Sequence, residues 1–212
     1  MRRFVFGVAL LFSLVACANG PTPVPSPKLP YHSWYVGLAA PRYMQVWVES
    51  VDVVDWRGYI FLNVAGGVPS YTRQANGWHK GGGGTMPVNN LGLPLHIFLR
   101  WQSIVEPQTY MINIEIPQWV RTEMIKLETV YCAPVDENVS LYRDTINIGM
   151  APGGIVKVWV GKSCLGYKEV GRFQALADPR GPYKGRSNGK YISIHPENKA
   201  YVEQHGIPYG TW

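Results

Sequence analysis

The chain has 212 residues, and its 20 basic and 14 acidic side chains give a formal net charge of +6 at neutral pH. The basic residues are dispersed, and no run of Lys or Arg alternates with aromatic residues, which argues against a nucleic-acid-binding surface. The 23 glycines and the aromatic content of 13% are typical of a compact fold that is rich in strands.

The N-terminus has the three parts of a bacterial export signal. Arg2 and Arg3 precede an apolar run from Phe4 to Val15, which is too short for a membrane-spanning helix of roughly 20 residues. The segment Leu14-Val15-Ala16-Cys17 resembles the bacterial lipobox, so we predict that the signal is removed and that Cys17 becomes the acylated first residue of a lipoprotein. A secreted protein that is cleaved at an Ala-x-Ala site and carries a chance cysteine is the alternative.

Residues 1–16 are the predicted signal peptide, and the residues that follow it indicate how the protein is sorted and tethered. Ala18 stands where many inner-membrane lipoproteins have Asp, so the resemblance implies an outer-membrane lipoprotein whose body faces the periplasm. Residues 17–30 contain the acylated cysteine and a proline-rich stretch, which is expected to form an extended tether. Residues 31–212 have the size of one domain or of two small ones, and we expect a single domain. The mature chain would carry a net charge of about +4.

Cys132 and Cys164 are the other two cysteines of the chain. In an oxidising compartment, an even pair outside any Cys-x-x-Cys motif favours a structural disulfide. This bridge would close a loop of about 33 residues and stabilise the fold by roughly 3–4 kcal/mol in the chain-entropy model. No histidine lies at zinc-ligand spacing beside either cysteine, so the pair does not indicate a metal site.

Three sequence blocks occur twice in the same order, which predicts an internal duplication. One match carries little weight because strands resemble one another, whereas three collinear matches favour duplication. The first repeat covers about residues 34–130 and the second about residues 146–212. The matching blocks are 36–48 with 148–160, 100–107 with 172–179, and 110–114 with 191–194.

Each repeat is predicted to be a series of strands that ends in a helix. Residues 110–116 alternate between apolar and polar side chains, as a half-buried strand does, and Pro117 suits the first turn of a helix. Val120, Met124 and Leu127 would form the apolar face of that helix.

In the second repeat, residues 191–194 are expected to form the corresponding strand. Pro196 would begin the second helix and Gly206 would end it. These features predict an α+β fold, a mostly antiparallel β-sheet with two helices, built from two degenerate β-rich repeats that each end in a helix.

The first repeat differs from the second by an insertion at about residues 51–97. Residues 58–64 predict one more strand, and roughly residues 69–94 form a long loop. Long loops in compact domains are usually functional or mobile, and Trp and Arg are enriched at binding hot spots. In the alternative, the loop is solvated and without a role, and contact with a partner is made by the sheet face or by the C-terminal Tyr209 and Trp212. The candidate partner-binding residues, expected on flexible backbone, are Arg73, Trp78, His79 and Lys80.

No set of residues indicates a reaction. The glycine run at residues 81–84 lacks the Lys-Ser/Thr of a phosphate-binding loop, and the Gly-x-Ser-x-Gly motif of many hydrolases is absent. The five histidines share no motif. Glu106 and Asp178 are better explained as acceptors in turns than as an acid and base pair. We therefore expect no enzymatic activity, no cofactor and no bound metal.

Several short motifs together resemble one family of bacterial lipoproteins, catalogued as domain of unknown function 2931. The likeness covers nearly the whole mature body, and some members of the family resemble immunity proteins of type VI secretion phospholipase effectors. The motifs are the lipobox, Trp34-x-Val36-Gly37, Ala40-Pro41 with residues 46–48, Leu93-Pro94 with residues 101–103, and residues 206–212.

The resemblance implies a protein partner in the periplasm. The leading hypothesis is an outer-membrane lipoprotein that binds and neutralises a type VI secretion phospholipase effector. The alternative is a housekeeping cell-envelope lipoprotein that binds another envelope protein, or glycan by stacking aromatic side chains on sugar. Either hypothesis requires an exposed binding surface and a lipid anchor in the membrane, and neither involves nucleic acid.

Overall fold

A computed structural model describes residues 25–78 and 84–212. These residues form thirteen strands and two α-helices, together with two short 3-10 turns. The strands are β1 (Ser33–Ala40), β2 (Val46–Asp55), β3 (Ile60–Gly67), β4 (Ser70–Tyr71), β5 (Thr85–Asn89), β6 (Pro94–Ser103), β7 (Gln108–Glu115), β8 (Glu128–Cys132), β9 (Glu137–Leu141), β10 (Thr145–Ala151), β11 (Ile155–Lys162), β12 (Gly166–Gln174) and β13 (Leu176–Ala177). The helices are α1 (Gln118–Met124) and α2 (Pro196–His205).

Most strands belong to two sheets, called here sheet A and sheet B. In sheet A the strand order is β12-β11-β10-β1-β4, and β5 also pairs with β1. In sheet B the order is β13-β7-β6-β2-β3, while β8 and β9 form a separate hairpin. Pairing is antiparallel except where β1 runs parallel to β10 and to β4. The fold is thus mostly antiparallel β-sheet with two helices, which confirms that part of the prediction.

One hydrophobic core contains side chains from both sheets. Val51 and Val53 of β2 are buried in it, two residues apart, because alternate side chains of a strand point to the same face. Ile148 of β10 and Val158 of β11 contribute from sheet A. The two sheets therefore pack through their inner faces.

The helices lie close to the predicted positions. α1 buries Val120 and Met124 as expected, but it ends at Met124, so Leu127 lies beyond it and is exposed, contrary to the prediction. α2 begins at Pro196 and ends before Gly206, whose φ of 72° is the left-handed conformation that favours glycine. Neither helix in the described part of the chain is long and apolar enough to cross a membrane.

The strand predicted at residues 191–194 is not formed. Gln102 Oε1 accepts a hydrogen bond from the Ile192 amide at 3.0 Å, and Gln45 Nε2 donates one to the Ser193 carbonyl at 3.0 Å. These side-chain amides satisfy backbone groups that would otherwise need a neighbouring strand. The segment that resembles β7 in sequence therefore adopts a different conformation.

The insertion in the first repeat contains strands as well as loop. β3 provides the additional strand that was expected near residues 58–64. Within residues 69–94, however, β4 and β5 both pair with β1, so this part is attached to the edge of sheet A. The outer face of sheet A also carries a second, smaller core, which contains Met44, Ala151, Ile155 and Trp212.

Cys132 and Cys164 form a disulfide, with Cα atoms 5.1 Å apart. The bridge connects the end of β8 to the turn between β11 and β12. Near the other end of the hairpin, Arg143 Nε lies 3.0 Å from Glu128 Oε1, and its Nη1 donates to the Gly166 carbonyl. The β8–β9 hairpin, which pairs with no other described strand, is thus attached to sheet A at two points.

Candidate partner-binding site

The outer face of sheet B exposes several large apolar side chains. Because Val51 and Val53 face the core, the alternate residues of β2 and their neighbours on β3 and β6 face outward. Soluble proteins rarely leave contiguous apolar patches uncovered unless these bind something. The exposed side chains are Ile60 and Leu62 of β3 (both 69% exposed), Leu176 of β13 (68%) and Phe98 of β6 (41%).

These side chains line a groove of about 560 Å³, called here the sheet groove. Cross-strand pairing places Val54 beside Ile60, Asp52 beside Phe98, and Met111 beside Leu176. The groove crosses all five strands of sheet B, a width of about 19 Å at the usual strand spacing. Its lining residues include Asp52, Val54, Ile60, Leu62, Phe98, Ile112, Asn113, Leu176, Arg180 and Lys184.

A buried arginine connects sheet B to the loop that borders one side of the groove, residues 178–190. Arg100 of β6 is only 6% exposed, and its Nε lies 2.6 Å from Glu49 Oε2. Its Nη1 pairs with Asp178 Oδ2, and its Nη2 donates to the Gly181 carbonyl. One guanidinium thus connects two carboxylates and a backbone carbonyl, a planar arrangement that lysine does not reproduce.

Glu49 extends this network into the same loop. Glu49 Oε1 accepts hydrogen bonds from the Tyr183 amide at 2.7 Å and from Gln102 Nε2 at 3.0 Å. The backbone at Tyr183 and Lys184 is left-handed, with φ values of 52° and 58°, which is unfavourable for residues other than glycine. Such unfavourable backbone conformations persist only where contacts with the surrounding structure hold the residues in place. The network therefore holds the loop, and Lys184 with it, at the edge of the groove.

The loop gives this edge of the groove a positive charge. Hydrogen bonds from Arg180, together with those from Arg100, hold the pKa of Asp178 well below its usual range, so this carboxylate stays ionised and paired. Lys184 and Arg186 make no salt bridge to a carboxylate within residues 25–78 and 84–212. The site therefore combines an apolar floor with a firmly held cationic border.

Glu106 and Asp178 both accept hydrogen bonds from backbone amides. Asp178 Oδ1 accepts from the Arg180 amide at 2.9 Å, within its own turn, and Glu106 Oε1 accepts from the Gly153 amide at 2.9 Å. Glu106 also accepts a hydrogen bond from the Tyr209 hydroxyl at 2.7 Å. Both carboxylates thus have structural partners, and they take part in separate networks.

Arg73 and Trp78, the two candidate binding residues of the insertion that the structure describes, do not line the sheet groove. Arg73 is exposed between β4 and β5. Trp78 is half-buried on the outer face of sheet A, with its ring centroid 6.0 Å from that of Trp159. A Cβ atom at Gly149 would lie 2.9 Å from the Trp78 ring, so the two residues are in close contact. His79 and Lys80 lie outside the described residues, as does Cys17.

Trp78→Ala is therefore expected to affect stability, whereas Arg73→Ala is not. Loss of the packed ring should lower the free energy of unfolding by about 1–3 kcal/mol, since a half-buried tryptophan contributes less than a fully buried one. Arg73→Ala should change it by no more than about 0.5 kcal/mol. Denaturant titration of both variants checks this, and equal stability would show that the Trp78 ring contributes no packing. Arg73 is thus the cleaner position at which to test binding by the insertion.

Two strands of the sheet groove have a sequence pattern that could have indicated it, but the pattern alone does not distinguish a buried face from a binding face. In β6, Leu95, Ile97 and Leu99 are interleaved with Phe98, so apolar residues occur on both faces of one strand. In β3, Ile60 and Leu62 follow the same period on the outer face. Strands that are apolar on both faces indicate either burial on both sides or a binding face. Only the fold shows that this face is uncovered in the described chain.

Comparison with known proteins identifies one family. A family model described as "Protein of unknown function (DUF2931)" matches residues 19–210. The match covers almost the whole chain, which therefore belongs to this family. Neither the curated proteins nor the solved structures include a match to the chain.

Proposed function

We propose that this DUF2931 member is an outer-membrane lipoprotein that faces the periplasm, and that it is an immunity protein which binds and neutralises a type VI secretion phospholipase effector. The observation that supports the proposal best is the sheet groove, an uncovered apolar surface beside a firmly held cationic loop. The lipobox supports the location, since a toxin that attacks phospholipids from the periplasm must be met there. We propose a binding role and not a catalytic one.

The groove has the properties of a protein-binding hot spot. Most binding energy at interfaces comes from a few side chains that fill apolar pockets, and polar groups at the border exclude water and set orientation. Phe98 and Leu176 provide the apolar contacts, and Lys184 provides a charge that would favour a partner with acidic residues. A lipase exposes apolar residues around the opening through which acyl chains enter, and this kind of surface would complement the groove.

The edges of sheet B favour contact through side chains over strand addition. β13 has only two residues, and the pairing of β3 with β2 shifts register between Val48 and Val51 and again before Val53. Short or irregular edge strands are poor templates for an additional strand. A partner is therefore expected to lie across the face of the sheet.

The proposal is tested by capture of the partner and by rescue from toxicity. The lipoprotein, extracted from membranes with mild detergent, would be used to capture proteins from periplasm that contains secreted effectors. We expect a lipase among the captured proteins, and we expect the lipoprotein to protect cells that export this lipase to the periplasm. Protection should require periplasmic location and should be weakened by Cys17→Ser, which removes the anchor. Capture of glycan or of a resident envelope protein, without protection, would favour the housekeeping alternative.

We also propose that the chain arose by duplication of a β-rich unit. β1 and β10, which carry the first pair of matching blocks, lie side by side and run parallel in sheet A. The second strands of the two repeats differ, because β11 pairs with β10 whereas β2 belongs to sheet B. The repeats would thus have diverged in strand pairing, and the groove forms on a sheet with four strands from the first repeat and one, β13, from the second.

A further inference from the structure

A second exposed surface lies where the N-terminal tether meets the body. Leu29 packs against the hydrophobic core and lines a cleft together with Trp56 and Ile125. Four residues earlier, the Pro25 carbonyl accepts a hydrogen bond from Arg57 Nη1. These contacts fix the place where the tether leaves the body, beside the turn between β2 and β3 and beside helix α1.

Exposed aromatic side chains occur on both elements that border this cleft, the β2–β3 turn and helix α1. Trp56 is 53% exposed and Trp119, on α1, is 41% exposed, and no other tryptophan in the described part of the chain is exposed to this extent. Tyr59, in the same turn as Trp56, and Ile125, which follows α1, are also exposed. We call these four residues the tether-proximal surface. Trp and Tyr are the side chains that are enriched where proteins meet the headgroup layer of a membrane.

The tether is short enough to keep this surface close to lipid. Residues 17–24 separate Cys17 from the described chain, and eight extended residues span at most about 28 Å. A surface held this near to the bilayer is present at high effective concentration, so weak contacts suffice for docking. Lys28 lines the same cleft as Trp56 and is suited to anionic headgroups, whereas Arg121, which also lines the cleft, donates from Nη1 to the Ile116 carbonyl at 2.6 Å.

We propose that the tether-proximal surface docks on the headgroup layer of the phospholipid bilayer that anchors the chain. Trp56, Tyr59 and Trp119 insert at the level of the headgroups, and Lys28 contacts phosphates. This inference rests on the proposed lipid anchor at Cys17. The sheet groove begins at Ile60, directly after the docked turn, and extends across the sheet to Leu176. Docking therefore orients the groove relative to the membrane and leaves the end at Leu176 facing the periplasm.

Quenching of tryptophan fluorescence by brominated lipid tests the proposal. The purified lipoprotein is reconstituted in vesicles of phosphatidylethanolamine and phosphatidylglycerol, with or without bromine on the acyl chains. We expect brominated vesicles to quench part of the emission. The Trp56→Phe, Trp119→Phe double variant should lose most of this quenching. Trp78→Phe, which alters a half-buried ring on sheet A, is the matched control and should retain it.

A second arrangement separates docking from lipidation. A Cys17→Ser chain with a hexahistidine tag in place of residues 1–16 is held on the same vesicles by nickel-chelating lipid. Separately, mass spectrometry of the native protein shows whether Cys17 is acylated. Quenching of the tagged chain that depends on Trp56 and Trp119 supports docking, even if the native mass shows no lipid. Absence of quenching in both arrangements, or equal quenching in the double variant, would overturn the docking proposal and leave the lipid anchor unaffected.

Discussion

Arg100→Met is expected to lower the free energy of unfolding by about 3–5 kcal/mol, the usual cost of removing one partner from a buried ion pair. The variant keeps much of the volume of the side chain but leaves Glu49, which is buried with it, without its cation. It also removes the donor to the Gly181 carbonyl, so residues 178–190 should lose their fixed position. Thermal and urea unfolding measure the change in stability, and hydrogen exchange of the amides in this loop measures the change in order.

Arg42→Met provides the matched control. Arg42 is about half exposed, and its Nη2 lies 3.7 Å from Glu197 Oε1, so its removal should cost less than about 1 kcal/mol. If Arg100→Met were as stable as Arg42→Met, the buried network would not hold the loop.

The pH dependence of stability provides a further check on the same network. The pKa of Asp178 is lowered in the folded protein, first by hydrogen bonds from Arg180 and also by those from Arg100. A carboxylate with a lowered pKa stabilises the fold above its unfolded-state pKa of 3.8, and this contribution is lost as the pH falls below that value. Asp178→Asn should therefore be less stable at pH 7, and in urea unfolding it should show a weaker loss of stability as the pH is lowered from about 5 to about 2.

Replacement of both bridged cysteines, Cys132→Ala with Cys164→Ala, is expected to cost roughly 3–4 kcal/mol for a closed loop of about 33 residues. The loss should be concentrated in the β8–β9 hairpin, because isolated two-stranded hairpins are marginal in water. Compared with the parent chain, the double variant should show a larger increase in amide hydrogen exchange in β8 and β9 than in β6 and β7.

Chemical reduction of the unmodified protein is the control for this effect. It should produce a similar loss of stability, and it should have no effect on the double variant. A double variant as stable as the parent chain would mean that the Arg143 contacts alone hold the hairpin.

The sequence predicts the core strands well because their signal is local. Ile114 and Ile116 follow the period of two that was predicted for residues 110–116, and both are buried as a half-buried strand requires. Pro196 and Gly206 define the second helix through conformations that these two residues favour strongly. Even numbers of cysteines in an oxidising compartment similarly predict the pairing of Cys132 with Cys164.

Other features depend on partners that are distant in the chain. Residues 191–194 have the pattern of a strand, but Gln45 and Gln102, about 150 and 90 residues away, satisfy backbone groups in this segment. Arg100 meets Asp178 across 78 residues, and neither residue has a neighbour in sequence that indicates the pair. The apolar outer face of sheet B is a similar case, since whether a face is covered depends on how the sheets pack.

The most direct test of the sheet groove as the binding site is the affinity of groove variants for the captured lipase. Leu62→Ala and Phe98→Ala should each weaken binding at least about tenfold, as hot-spot truncations do, with little change in melting temperature because both side chains are exposed. Val135→Ala, at an exposed apolar position on the β8–β9 turn whose exposure of 55% lies between those of Phe98 and Leu62, should bind as the parent does. Unchanged affinity in both groove variants, with a loss in Arg73→Ala, would contradict this account and place the binding site on the insertion between β4 and β5.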